Sequence, residues 1–250
     1  MKDKLVTMLL LSAATAGAAL AAEQQPQAQQ PALQTVQPVQ PAQQPTTQEP
    51  KVLYLYDGVH EVHGGKANVF NGANVDAYDG AQINSRNNAV IRAYGNSSVE
   101  SYQHSDVYSF ATARIQAHDN SRVFAKNLST VDANDSTIVQ ASDQTQITVH
   151  GNGTVMVTDN AVVKAYDNAT VLARGNAKVE AFGFAKVTTE DNATVIANDH
   201  TTVNAHGHSV VTARGDGAIT TWGPVKVSTD GASEANIKRL SDEPSFFSSM

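Results

Sequence analysis

The sequence has no cysteine, so whatever it folds into is held without disulfides. Basic residues are scarce: 17 Lys and Arg stand against 24 Asp and Glu, a formal net charge of −7, which disfavours nucleic acid and anionic lipid as partners. Beyond the first 22 residues there is no apolar run long enough to span a bilayer. Proline is almost confined to one place, six of the eight falling in residues 23–50 beside eleven Gln. Such a composition cannot bury a core; it favours extended conformations and reads as a disordered spacer, a tether or a plain leader.

The first residues have the layout of a secretory signal peptide over 1–22: MKDK, an apolar stretch over 5–20, then the small-x-small site Ala19-Leu20-Ala21. Its removal takes away Lys2, Asp3 and Lys4, a net +1, and leaves a mature chain at −8. An exported protein without disulfides has to rely on hydrogen bonds and repetitive packing.

Residues 70–229 supply both, dividing into twenty consecutive octads without an insertion or deletion. Examples are FNGANVDA (70–77), HDNSRVFA (118–125), YDNATVLA (166–173) and EDNATVIA (190–197). The sixth position is Val or Ile in all twenty, from Val75 and Ile83 through Val171 to Ile219 and Val227. Positions four and eight are almost all Ala, Ser, Thr or Gly, whereas five and seven are mostly polar. Alternation with period two predicts a short strand with one buried face. Positions one to three carry turn residues, usually Asp, Gly or Asn at the second, which tolerate left-handed backbone. An eight-residue period centred on a β-branched residue matches no amphipathic helical stripe.

One such strand cannot fold alone. Sixteen residues bury two Val or Ile, about 3–6 kcal/mol, against about 24 kcal/mol of ordering entropy. Neighbouring coils have to make up the deficit, which predicts an all-β, single-stranded-coil β-solenoid. Coils of two octads and of three are both conceivable. Faces reading Ala-Val-Ala close on each other across a thin core but would leave a triangular interior hollow. At the second position, Asp159, Asp167, Gly175, Gly183, Asp191, Asp199, Gly207 and Gly215 alternate Asp-Gly along each edge of a sixteen-residue coil, whereas a three-octad coil would align Asp119, Asp143, Asp167 and Asp191. The sixteen-residue coil is therefore favoured, giving ten coils and a rod of about 48 Å. Residues 51–69, with the strand-like VLYLY, are expected to form an N-terminal cap. Residues 230–250 are expected to form a C-terminal cap and tail containing a short helix over 233–240 (SEANIKRL), with Ser233 at its N-cap.

In its Asn-Ala-Thr-Val-type octads the chain resembles the short-period β-solenoid repeat proteins exported by bacteria. Its two-octad coil plan is similar to that of bacterial ice-nucleation proteins, whose Gly-Tyr-Gly-Ser-Thr-type units it lacks.

Candidate chemistry is sparse. An ice-binding face needs two outward Thr per strand, and no octad has Thr at both five and seven. A polysaccharide lyase or glycosidase needs carboxylates converging in a cleft built from corner insertions, and there are none; Asp76, Glu100, Asp106, Asp132 and Glu180 are scattered. The calcium-roll nonapeptide does not occur, and His200, His206 and His208 supply no ordered ligand set, so no metal or cofactor is expected. Arg214-Gly215-Asp216 reads as a corner variant of Arg174-Gly175-Asn176. Aromatics recur at position one, and in a two-octad coil Tyr78, Tyr94 and Phe110 fall in succession on one edge, where rings could stack on sugars or shield the core. The expected function is that of a secreted structural or adhesive solenoid without enzymatic activity, in the periplasm, at the cell surface or outside the cell. The alternative is a carbohydrate-binding module using Tyr78, Tyr94 and Phe110, its partner a surface glycan or envelope component.

Overall fold

The computed structural model describes residues 51–230 and 234–240; the expected signal peptide, the Gln/Pro spacer, Ser233 and the last ten residues lie outside them. Twenty-four short strands, numbered β1 (Val52–Leu55) to β24 (Asn236–Leu240) in chain order, form two parallel sheets of twelve, one from the odd and one from the even strands. Each strand pairs with those two before and two after it. Thus β15 (Val162–Ala165), β17 (Lys178–Ala181) and β19 (Thr194–Ala197) stack with Val163 opposite Val179 and Val179 opposite Val195, sixteen residues apart. The coil holds two octads, and the fold is a β-solenoid.

The alternation expected from the octad is the alternation observed. In YDNATVLA, Ala169, Val171 and Ala173 are buried, and Thr170 faces outward. Position-six Val and Ile from the two sheets meet position-four and position-eight Ala in one continuous apolar cluster from Val62 to Ile219. Small residues at four and eight let the two sheets close over the Val and Ile of position six. Six position-four hydroxyls turn back on their own corner: Ser97, Ser105, Ser129, Thr137, Thr201 and Ser209 each donate to the carbonyl three residues earlier, at 2.5–2.7 Å. Other buried hydroxyls, Ser85, Ser101 and Ser109 among them, have no protein partner. Most octads place Ala at position eight, so Ser101→Ala is expected to raise unfolding free energy by about 1 kcal/mol, checked by denaturant titration.

Two expectations about the ends need correction. There are twelve coils, not ten, because residues 51–69 are not a separate cap: they supply β1, β2 (Val59–His63) and β3 (Lys66–Val69), which continue both sheets. Their register is irregular: Val52 lies opposite Lys66, fourteen residues on, and Val59 opposite Asn74, fifteen on. Ala67 also takes the core place that Val or Ile holds elsewhere. At the other end, no helix occurs among the described residues. Asn236–Leu240 is a strand that pairs residue for residue with β22 (Ala218–Trp222), setting Ile237 on Ile219 across an eighteen-residue coil. Five ladder pairs and a partly buried Ile outweigh a cap and a dipole worth about 1 kcal/mol each, in a segment too short to sustain an isolated helix. The same register puts Arg239 over inward-facing Thr221, a charge in a core column that opposes addition of a further strand.

Candidate functional site

Each corner is built so that neighbouring coils use its polar groups. The second position has positive φ at every corner from Asn71 to Gly207. Around residue 166, Tyr166 N–H donates to Val149, Asn168 N–H to Gly151 and Thr170 N–H to Gly153, all in the coil before, while Ala169 N–H closes the turn on Tyr166. The second-position N–H remains, and an Asp or Asn one coil later takes it. Asp167 accepts from Gly151 N–H (2.9 Å), Asp191 from Gly175 (3.0 Å), Asp199 from Gly183 (2.9 Å) and Asp143 from Asn127 (2.9 Å). The corner aspartates are thus backbone acceptors. At two corners above Asp the coils approach so closely that only glycine fits as they stand: a Cβ on Gly175 would lie 2.9 Å from Asp159 N, and one on Gly207 2.8 Å from Asp191 O. The Asp-Gly alternation expected in 159–215 follows, although earlier in the chain Asp119 donates to Asp135 and Asp143 to Asp159, so acids do stack there.

Ala111 is the one alanine held at positive φ, 56°, where Asn and Asp are tolerated better. Ala111→Asn is expected to stabilise by about 1 kcal/mol, by relaxing this conformation and by offering an acceptor to Gly95 N–H, and a thermal melt checks it.

Tyr78, Tyr94 and Phe110 do form one column. Their rings are parallel, 4.9 Å apart between Tyr78 and Tyr94 and 5.1 Å between Tyr94 and Phe110, and His63 extends the stack below Tyr78 at 4.9 Å. Each inner ring therefore has both faces against neighbouring rings, leaving its edge to solvent. The opposite edge carries its own stacks, Tyr56–Phe70, Tyr102–His118 and His150–Tyr166–Phe182, with Arg86 over Tyr102. The histidine members share the sixteen-residue spacing that the sequence shows, as between Tyr102 and His118.

Several charged side chains are likewise engaged along the columns. Arg92 pairs with Asp76 (3.1 Å), Arg122 with Asp106, and Arg174 with Glu190 (2.7 Å), each one coil apart. Tyr102 donates to Glu100, which holds the phenol above its ordinary pKa, and burial does so at Tyr78. His63 is raised above its usual range mainly by its bond to Asp79 (2.9 Å). His200 pairs with Asp216. Among the described residues no group of three or more His, Asp or Glu could hold a metal ion. Asp132 and Glu180 lie on the outer face of the odd-strand sheet, apart from one another, and no cleft gathers them.

Sequence reasoning missed an apolar stripe on the even-strand sheet. Position seven of alternate octads reads Tyr108, Phe124, Gln140, Met156, Leu172, stacked in that order through β8 (Asp106–Ser109), β10 (Arg122–Ala125), β12 (Ile138–Ala141), β14 (Thr154–Val157) and β16 (Thr170–Ala173). Tyr108 and Phe124 are parallel at 4.9 Å. Beside the stripe, corner residues Lys126, Ser142, Thr158 and Arg174 border a shallow groove of about 350 Å³. The signal was a sixteen-residue periodicity, invisible while octads are compared as equivalent.

No family model, curated protein or solved structure matches this chain.

Proposed function

We propose that the chain is an exported, non-enzymatic structural rod of the cell envelope or extracellular space, similar in kind to bacterial octapeptide-repeat solenoids, acting through stiffness and lateral adhesion. One observation carries this reading: most corner acids, the arginines at 92, 122 and 174 and the stacked rings are occupied by a neighbouring coil. Acids receive backbone N–H or Arg, rings cover rings, and no corner insertion breaks the array to form a cleft. Twelve coils span about 53 Å at about 4.8 Å per spacing, without interruption in either sheet. Cosedimentation with envelope and matrix polysaccharides, followed by assay for new reducing ends, tests it. The expected result is retention with the envelope fraction and no turnover of polysaccharide; polysaccharide cleavage above blank would contradict it.

The carbohydrate-binding alternative draws on the alignment of Tyr78, Tyr94 and Phe110 in a column. Sugar stacking needs open ring faces, however, and both faces of Tyr78 and of Tyr94 lie against neighbouring rings. A glycan array with the intact chain separates the readings.

A further inference from the structure

We infer that the groove on the even-strand sheet is a binding site for a medium-length acyl chain bearing a carboxylate, its tail along Phe124, Met156 and Leu172 and its head at Lys126. The floor is apolar at both ends and polar at one step: Phe124 and Leu172 are half-buried, Met156 is 36% exposed, Ala125, Ala141 and Val157 of the core reach its base, and exposed Gln140 lies between Phe124 and Met156, where its methylenes flank the tail. Its volume, about 350 Å³, falls within the span of small-ligand sites.

The edge beside it changes character over the same coils. From Tyr78 to Phe110 the position-one column is aromatic; it then becomes Lys126, Ser142, Thr158 and Arg174. The corner side chains shrink at Ser142 and Thr158 beside Gln140 and Met156 of the stripe, so the apolar floor is opened rather than shielded. The run from Phe124 to Leu172 covers three coil spacings, about 14 Å, a length suited to an extended chain.

Charge selects the head group and its place. Arg174, at one end, is already bonded through Nε (2.7 Å) and Nη2 (3.3 Å) to Glu190. Asp159, on the corner beyond Thr158, accepts from Asp143 N–H and repels an anion from the level of Ser142, while the Asp143 carboxylate is tied to Asn127 N–H on the corner side of Lys126. Lys126, at the other end, is exposed and its ammonium has no acid partner. A carboxylate placed there gains a charge-assisted hydrogen bond while the tail removes apolar surface from water.

Calorimetric titration of the full chain with dodecanoate, below its micelle concentration, tests this against dodecanol as the uncharged probe. Saturable binding of dodecanoate is expected, at least about tenfold tighter than dodecanol. Lys126→Gln is expected to remove that preference while leaving dodecanol affinity unchanged. Ser142→Phe, which extends the aromatic edge over the groove, is expected to abolish both without lowering the melting temperature. Equal affinity for the two probes, a preference that survives Lys126→Gln, or binding unaffected by Ser142→Phe would each overturn the assignment. So would absence of binding to the intact chain, or dimerisation in place of ligand uptake.

Discussion

Val171→Asp is expected to unfold the middle of the solenoid, whereas Thr170→Asp, one residue away, leaves its stability within about 0.5 kcal/mol. Val171 is 1% exposed and stacked between Val155 and Val187, so a carboxylate there has apolar side chains above and below and no donor. The cost is at least about 5 kcal/mol, whether the group stays charged or takes up a proton. Thr170 faces outward between Thr154 and Lys186, and an acid beside that ammonium is neutral to mildly favourable. Because each coil contacts mainly its neighbours, the damage should be local. Hydrogen exchange should show lost amide protection around residues 155–187 with protection retained near 83–131. Equal melting temperatures for the two variants would refute the register.

The second large effect is expected from Tyr78, Tyr94 and Phe110 changed together to Ser. Three ring stacks disappear, including His63 on Tyr78, at about 0.5–1.5 kcal/mol each beyond the area they cover. A total loss of about 3–5 kcal/mol should melt the N-terminal coils first, with glycan-array signals at background before and after the change. A variant as stable as the parent that loses attachment to a glycan or to cells would instead establish this edge as a binding surface.

The sequence and the fold agree where a single residue class is invariant. Val or Ile at the sixth position of every octad sets both strand and facing, and corner Asp and Gly in 159–215 distinguish the two-octad coil from the three-octad one. The ends were harder to read because irregular coils break the pattern: Ala67 stands in a core place, and coils of fourteen, fifteen and eighteen residues shift the frame at β1, β2 and β24. SEANIKRL carries helix-terminus signals, yet its partner strand β22 is a long-range contact that local propensity does not register. Individual octads do not reveal the role of the corner acids or of the Phe124–Leu172 stripe, since each arises between residues sixteen apart.

The solenoid is built of sixteen-residue coils, each residue of a strand standing opposite its equivalents one coil above and one below. The absence of cysteine makes a direct measurement clean: pyrene on the pair Thr154→Cys and Thr170→Cys, compared with the pair Thr170→Cys and Thr194→Cys. The first pair lies directly opposite on β14 and β16; the second, twenty-four residues apart, lies on different sheets. Strong excimer emission from the first and monomer emission from the second is the predicted result. Excimer emission from the second pair alone would mean three octads per coil and would contradict the fold and everything built on it.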